Sequence, residues 1–370
     1  MKYYIIAGER SGDLHGSNLI KALKQYAPDC TIRCWGGDMM KEAGGDLVVH
    51  YRDTAFMGFL EVIKNIRTIR RFMTFCKKDI ESWQPDAVIL IDYPGFNLRI
   101  AKFTKSLGIK TCYYISPKIW AWNTGRAKKI KKNVDKMFCI LPFEKAFYQK
   151  FDFEVEYVGN PLIDSMASYP YDQHLITRHS AKDRFRVGIL PGSRVQEVTN
   201  MLDTMATLFP KYPDAQFFIA RVDNLDEAYY SKYLNYPNVT ILTNKAYDIL
   251  KFVDAAIVTS GTAALETALF KVPQVVCYKT SAISYNIAKL VIKVKYISLV
   301  NLIMDSEVVK ELIQGDFTTG NLQHFIDSVR ENSEQIVKMR AQYEVLAARV
   351  GDHSASDQTA KLIVADTQKH

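Results

Sequence analysis

An aspartate closes one of the most apolar runs of the chain, in Ile89-Leu90-Ile91-Asp92-Tyr93-Pro94-Gly95-Phe96-Asn97. A carboxyl at the end of a buried strand is partly desolvated, which lifts its pKa toward the working pH and suits it to general-base work. Aspartate at such a place also caps helices and forms turns, and position alone does not separate these uses. Glu9, Asp13 and His15 are the titratable groups expected near it, in Ala7-Gly8-Glu9-Arg10-Ser11-Gly12-Asp13-Leu14-His15-Gly16, where three glycines stand four apart before a helix expected at about 17–25. Such glycines let backbone amides approach a ligand; a tight strand-to-helix turn capped by Ser11 or Asp13 would use them equally well. The spacing is neither that of a dinucleotide-binding loop nor that of a Walker loop, which argues against a dehydrogenase and an NTPase.

The second half repeats the strand, glycine turn and helix start twice. Leu190-Pro191-Gly192-Ser193-Arg194 precedes Val195-Gln196-Glu197, and Thr259-Ser260-Gly261-Thr262 precedes Ala263-Ala264-Leu265-Glu266. An arginine beside free amides at a helix start suits a diphosphate, and an amide-rich helix N-terminus binds phosphate without any cation. Two such turns in one half, with a glycine loop in the other, point to a nucleotide-sugar cleft. No Asp-x-Asp pair occurs in the chain, so a leaving diphosphate is expected to be neutralised by Arg194, helix ends and amides rather than by a metal. The six cysteines are scattered through apolar runs, and only Cys30 and Cys34 stand close, so no metal site and no cofactor are expected.

These residues need a frame to hold them. Apolar runs rich in β-branched and aromatic residues recur at Tyr3–Ala7, Thr31–Trp35, Ala87–Ile91, Thr111–Ile115 and Lys136–Ile140, separated by helical stretches. The rhythm breaks over the polar segment Tyr169–Arg184, read as a linker, and restarts at Arg186–Leu190, Gln216–Ala220, Val239–Leu242, Ala255–Val258 and Gln274–Tyr278. This is βαβ alternation, hence an α/β protein with two Rossmann-like, doubly wound parallel sheets. The domains are expected at 1–168 and 185–345, with a helical tail, 346–370, packing across onto the first. Ligands of such sheets sit beyond the carboxyl ends of the strands, where the residues above fall.

At 370 residues, with 48% hydrophobic and 24% charged residues, the chain is long enough for two cores and shows no disordered block. The first apolar run is too short for a secretory signal or a membrane span, which predicts a cytoplasmic protein. The net charge of +8 suits an anionic partner without naming it. Between Phe59 and Met73, apolar Phe59, Ile63, Ile66, Ile69 and Met73 recur at helical spacing among Lys64, Arg67, Arg70 and Arg71. A basic amphipathic helix of this kind serves an interfacial membrane contact or covers a core with a solvated back. A second basic run, Arg126–Lys136, follows Trp120 and Trp122; no nucleic-acid module accompanies it, and no nucleic-acid partner is expected.

Together, Ala7-Gly8-Glu9 with Ser11-Gly12-Asp13, Asp92-Tyr93-Pro94-Gly95-Phe96-Asn97, Pro117 with Trp120-Ala121-Trp122, Gly159-Asn160-Pro161, Leu190-Pro191-Gly192-Ser193-Arg194 with Glu197, Ser260-Gly261-Thr262 with Glu266, and Asn301 with Glu311 and Gln314 resemble the lipid-A-disaccharide synthase family. The matches run in order from about residue 3 to 314. The resemblance implies the two-domain GT-B glycosyltransferase fold, with the domains facing a cleft. It implies inverting transfer from UDP-2,3-diacylglucosamine to 2,3-diacylglucosamine 1-phosphate (lipid X), giving a β-1,6-linked disaccharide 1-phosphate and UDP. It also implies independence of metal and peripheral association with the cytoplasmic face of the inner membrane, and it is compatible with a homodimer. By motif, Asp92 matches the base that takes the proton of the acceptor 6-hydroxyl, with Glu9, Ser11 and His15 beside it. Gly192, Ser193, Arg194, Ser260, Gly261, Thr262, Glu266, Asn301, Glu311 and Gln314 match the donor side. Gly12, Phe59, Ile63, Ile66, Arg67 and Trp122 are assigned to the acceptor and its lipid. One departure is Lys310, where family members commonly carry proline. Other sugar-nucleotide enzymes of the same fold, such as peptidoglycan transferases and hydrolysing UDP-N-acetylglucosamine epimerases, are the nearest rival readings.

Overall fold

The computed structural model describes residues 1–54, 66–180, 184–292 and 294–368. They form two compact units, Met1–Ala167 with Gly351–His370, and Ser168–Val350.

In the first unit, strands β1 (Lys2–Ala7), β2 (Thr31–Gly36), β3 (Asp46–His50), β4 (Ala87–Ile91), β5 (Lys110–Tyr114), β6 (Lys136–Cys139) and β7 (Glu156–Tyr157) form one sheet. Its order is β3-β2-β1-β4-β5-β6-β7, parallel throughout. In the second unit, β8 (Phe185–Leu190), β9 (Ala215–Arg221), β10 (Val239–Thr243), β11 (Ala255–Thr259), β12 (Gln274–Tyr278) and β13 (Lys310–Ile313) pair in parallel in the order β10-β9-β8-β11-β12-β13. Both sheets are Rossmann-like and doubly wound. β1 and β4, and β8 and β11, are the neighbours at which the winding reverses, and the loops leaving them converge on the ligand position of this architecture. The central strands are apolar on both faces because helices cover both: every residue of β4, Ala87-Val88-Ile89-Leu90-Ile91, is buried. Strands β3, β7 and β13 were not anticipated; they are short sheet-end elements with too few apolar residues to stand out.

The first helix begins much earlier than expected, at Arg10, and runs to Tyr26, so Ser11, Gly12, Asp13, His15 and Gly16 are helical. Glycines four apart share one helix face, and here that face lies against its neighbours. A β-carbon on Gly12 would stand 3.1 Å from that of Ala7, and one on Gly16 would stand 2.5 Å from Met40 Sδ. Asp13 is structural: it is buried, and its carboxylate accepts from Gly37 N (2.7 Å), Met39 N (3.2 Å) and Met40 N (3.1 Å), capping the helix Asp38–Glu42.

The segment read as a linker carries a helix, Gln173–His179, capped by Asp172, whose Oδ1 accepts from Leu175 N at 3.0 Å. Buried Asp248 draws this segment into the second unit by accepting from Tyr169 Oη (2.7 Å) and Asp172 N (2.8 Å). The C-terminal stretch forms three helices, Thr319–Arg330, Glu334–Val350 and Ala355–Thr367. The second keeps 346–350 in the second unit, with Leu346 and Val350 buried. The third lies in the first unit, where Ala355, Ala360, Ile363 and Val364 join Leu19, Ile20 and Leu23 in one core cluster. Ser356 N donates to Asp164 Oδ2 (3.0 Å), and Lys110 pairs with Asp366 (2.6 Å).

Candidate active site

In the first unit a small depression is lined by Gly8, Glu9, Ser11, Gly12, Ile91, Asp92 and Tyr93, the residues leaving β1 and β4. Asp92 and Tyr93 both adopt the left-handed region, with φ of +44° and +47°, and Ile115, at the end of neighbouring β5, has φ of +66°. Non-glycine residues hold such angles only where their surroundings enforce them, and strain of this kind gathers at functional sites. The enforcement is visible. Asp92 N donates to Tyr114 O at 3.1 Å, and the Asp92 carbonyl accepts from Asn97 Nδ2 at 2.8 Å and from the Tyr113 hydroxyl. Asn97 Nδ2 also reaches Ile91 O at 3.1 Å, while Pro94 opens the helix Pro94–Ser106. The Asp-Tyr-Pro-x-x-Asn spacing therefore fixes a strained turn that presents the Asp92 side chain.

Desolvation pushes the Asp92 carboxyl up to about 6; the ammonium of Lys118 opposes this and the carboxylate of Glu9 adds to it. It is thus ionised at neutral pH yet more basic than an ordinary carboxylate, which fits it to accept a proton. His15 is not among the residues lining the depression. Burial drives its imidazole down to about 4 against the pull of Asp164, and its buried Nδ1 has no partner among the described residues. It is neutral, and a poor choice for the acid or base.

Lys118, Tyr113 and Glu144 escaped the sequence reading. Buried Glu144 accepts from Trp120 Nε1 (3.1 Å), Ile140 N (3.2 Å) and Leu141 N (3.0 Å), and desolvation raises it to about 7. Its signal was weak: a glutamate five residues after a strand end, in the first turn of a helix. It anchors Trp120, while Trp122 is 43% exposed with the Arg126 guanidinium 4.7 Å from its ring centre. Asn160 ties the residue after β6 to the helix Pro161–Ser168, donating to Ile140 O (3.1 Å) and accepting from Leu162 N (3.0 Å).

In the second unit the turn after β8 differs from the sequence expectation. The amides of Ser193 and Arg194 are not free: both donate to Glu197 Oε2, at 2.9 and 3.2 Å. Gly192, at φ +107°, permits this, since a β-carbon there would stand 2.3 Å from that carboxylate oxygen. The Arg194 side chain is 71% exposed, with Glu197 its ion-pair partner at 3.4 Å, and so remains accessible to an anion. After β11, Ser260 donates to Ile297 O (3.0 Å), and Gly261 precedes the helix Thr262–Leu269, whose start has no side-chain cap. Gly261 and Thr262 are exposed. Glu266 accepts from Tyr247 Oη (2.8 Å), and desolvation raises its carboxyl.

Asn301 is bound up within the fold of the second unit. It is fully buried, and its amide is saturated: Nδ2 donates to Val309 O (2.8 Å) and Glu311 Oε1 (2.9 Å), while Oδ1 accepts from Val308 N (2.8 Å) and Val309 N (3.0 Å). Glu311, on β13, also accepts from Ile297 N (3.0 Å) and Ser298 N (2.9 Å), so it secures the segment leading into the helix Leu299–Met304. Gln314 pairs with the Thr280 peptide through both ends of its amide, at 2.7 and 3.0 Å. These three residues hold the backbone at Thr280, Ile297–Ser298 and Val308–Val309 in place.

A family model described as lipid-A-disaccharide synthetase matches residues 3–364. The chain belongs to the lipid-A-disaccharide synthase family. A lipid-A-disaccharide synthase of Geobacter metallireducens is 35% identical over 367 residues, covering 97% of this chain and 96% of the relative. One of Syntrophus aciditrophicus is 41% identical, covering 84% and 83%, and one of Coxiella burnetii is 37% identical, covering 85% of each. The chain is therefore a glycosyltransferase that forms the lipid A disaccharide. Its fold is shared with a putative UDP-N-acetylglucosamine 2-epimerase of Listeria monocytogenes (TM-score 0.69, 12% identity, 100% of this chain and 97% of that one). It is shared equally with the glycotransferase of kitacinnamycin (TM-score 0.69, 11% identity, 99% of each), so the fold is GT-B.

Of the lipid-side residues assigned to the lipid-A-disaccharide synthase by motif, Phe59 and Ile63 lie outside the described residues. Ile66 opens the helix Ile66–Trp83, Arg67 on that helix is exposed, and Phe72 and Met73 pack against the core. Among the described residues no helix is long and apolar enough to cross a membrane.

Proposed function

We propose that this lipid-A-disaccharide synthase transfers the diacylglucosaminyl group of UDP-2,3-diacylglucosamine to the 6-hydroxyl of 2,3-diacylglucosamine 1-phosphate (lipid X) by direct displacement. The acceptor oxygen attacks the donor's anomeric carbon as UDP leaves from the opposite face, which inverts the centre and gives a β-1,6 linkage. Asp92 takes the hydroxyl proton, and Arg194 and the uncapped helix start at Gly261–Thr262 balance the charge of the departing diphosphate. The observation that carries this reading is the Asp92 carboxyl, raised to about 6 at a strained strand end within the glycine-lined depression. Ser11 and Glu9 line the same depression and belong to the acceptor side. The reaction as written needs no metal. Its lipid substrates place the enzyme at the cytoplasmic face of the inner membrane; a homodimer is an assembly the scheme admits but does not need.

The test is turnover of radiolabelled UDP-2,3-diacylglucosamine with lipid X in detergent micelles containing EDTA. Disaccharide 1-phosphate under EDTA is the expected product. Absence of product with or without Mg²⁺, in protein that binds UDP, would sink the substrate assignment in favour of another sugar-nucleotide reaction.

A further inference from the structure

The strand beside β4 leads into a loop that is anchored to the core on both sides of an exposed lysine. Ile115, with φ of +66°, follows β5 and donates its amide to Phe138 O at 3.1 Å. Ser116 Oγ stands 2.8 Å from the hydroxyl of buried Tyr148, and Trp120 Nε1 donates to buried Glu144 at 3.1 Å. Lys118 lies between these anchors with its side chain exposed. Turns then follow one another, Ala121 N to Lys118 O (3.2 Å), Asn123 N to Ile119 O (2.9 Å) and Arg126 N to Asn123 O (3.1 Å), which keeps the stretch 118–126 folded up to the start of the helix Arg126–Asn133.

Neither cation of this loop is neutralised within the protein. From residue 93 to residue 134 the chain has no acidic residue, and among the described residues neither Lys118 nor Arg126 has a carboxylate partner. Arg126 lies instead over the ring of exposed Trp122. The loop is next to the base, because β4 and β5 are neighbours and Asp92 N donates to Tyr114 O. Desolvation raises the Asp92 carboxyl, and the Lys118 ammonium is the charge that opposes it. A cation here makes Asp92 a weaker base, so the needs of the base do not explain a lysine at this position. Free cations and an exposed indole on a core-anchored loop fit a substrate that carries an anion not far from its reacting hydroxyl: the cations match phosphate oxygens, and the indole matches the apolar face of a sugar ring.

We infer that the loop 116–126 is the subsite for the acceptor's phosphate, with Lys118 and Arg126 on the phosphate monoester of a sugar 1-phosphate, Trp122 along the sugar ring and Asp92 at the hydroxyl. This rests on the proposed acceptor and adds how the enzyme tells that acceptor from the same sugar without its phosphate. The donor's diphosphate is the other anion of the reaction, and it already has Arg194 and the helix start at Gly261–Thr262 in the second unit.

The experiment compares lipid X with 2,3-diacylglucosamine, the same acceptor lacking phosphate, in detergent micelles at about pH 8, where Asp92 is ionised. Wild type should prefer lipid X, and K118M should lower kcat/KM for lipid X by about ten- to a hundredfold through loss of a charge-assisted contact. For the acceptor without phosphate the same variant should lose less than about threefold, since the lost partner is already absent there. K118R should keep most of the preference and R126Q should lose part of it, whereas K129Q, which removes one exposed charge from the same helix, should leave it unchanged. Equal losses on the two acceptors would overturn the subsite, as would a raised donor KM with the acceptor preference intact. Ligand-observed NMR with soluble glucosamine 1-phosphate and glucosamine separates this inference from the reaction. Wild type should bind the phosphorylated sugar more tightly, and K118M should not discriminate. That pattern in a protein that forms no disaccharide keeps the subsite and sinks the reaction, whereas turnover without any preference for phosphate does the reverse.

Discussion

The ring of Tyr93 occupies the space a side chain at position 8 would need: a β-carbon built on Gly8 falls 2.3 Å from Tyr93 Cδ1 and 2.4 Å from Cγ. The exits of β1 and β4 are thereby interlocked, and Tyr93 is the left-handed residue next to Asp92. Glycine is required at position 8 by the closeness of the ring.

Gly8→Ala should therefore act on chemistry through Tyr93. The ring must move, and with it the strained turn that aims Asp92; misplacement of a catalytic group by about 1 Å costs on the order of a hundredfold in rate. The expected result is a kcat lowered by about that factor with UDP affinity unchanged. Near-normal kcat would mean that the turn adjusts without moving the carboxylate.

The pH profile should report Asp92. Only the carboxylate accepts a proton, so kcat/KM should fall below about pH 6, where the group becomes protonated. Lys118 lowers this pKa, so Lys118→Met should move the acidic limb to higher pH; Glu9 raises it, so Glu9→Gln should move the limb to lower pH. Shifts in the same direction would contradict the electrostatic account. Asp92→Asn should reduce turnover by about 10²- to 10⁴-fold above pH 6, a gap that narrows at lower pH as the wild-type carboxylate is protonated.

Asp92 should also carry a stability cost. A carboxyl whose folded pKa is raised opposes folding where it is ionised, so its burden is present above about pH 6 and disappears as pH falls toward the ordinary carboxylate value. Discounted for partial solvent screening, this is about 1–2 kcal/mol. Asp92→Asn should melt higher than wild type at pH 7.5, and the difference should vanish near pH 4. Equal midpoints at pH 7.5 would count against burial as the cause of the shift.

The motifs that end strands were legible because they combine an apolar run with a turn residue, a local signal that does not depend on packing. Asp92, Gly192 and Gly261 all stand at such ends. The glycine series Gly8, Gly12 and Gly16 misled in part: four-residue spacing is also a helix face, and only the position of Met40 and Ala7 shows that Gly12 and Gly16 serve packing. Glu197 looked like a bystander to a phosphate loop, yet its carboxylate takes the amides that the loop seemed to offer. Lys118, Tyr113 and Glu144 were invisible because their roles arise where separate strands meet, which residue order does not reveal.

Arg194 and Asn301 were grouped on the donor side by sequence, and their surroundings predict opposite phenotypes. The Arg194 side chain is exposed, with one ion pair at 3.4 Å, so Arg194→Ala should leave the thermal midpoint almost unchanged, an exposed pair being worth about 0–1 kcal/mol, and should raise the donor KM. Asn301→Ala strips this partner from the buried Val309 amide and carbonyl and removes one donor from Glu311, while Val308 N keeps Ser306 O at 3.0 Å. Orphaned buried groups cost about 1–3 kcal/mol each before relaxation, so this variant should melt several degrees lower. Its donor binding should weaken only through the displaced segment at Ile297 and Ser298, which Glu311 holds. Calorimetric melting and donor KM measured on both variants decide the matter: a stable Asn301→Ala with lost donor affinity would return Asn301 to direct contact, and an unstable Arg194→Ala would show that its exposed guanidinium is structural.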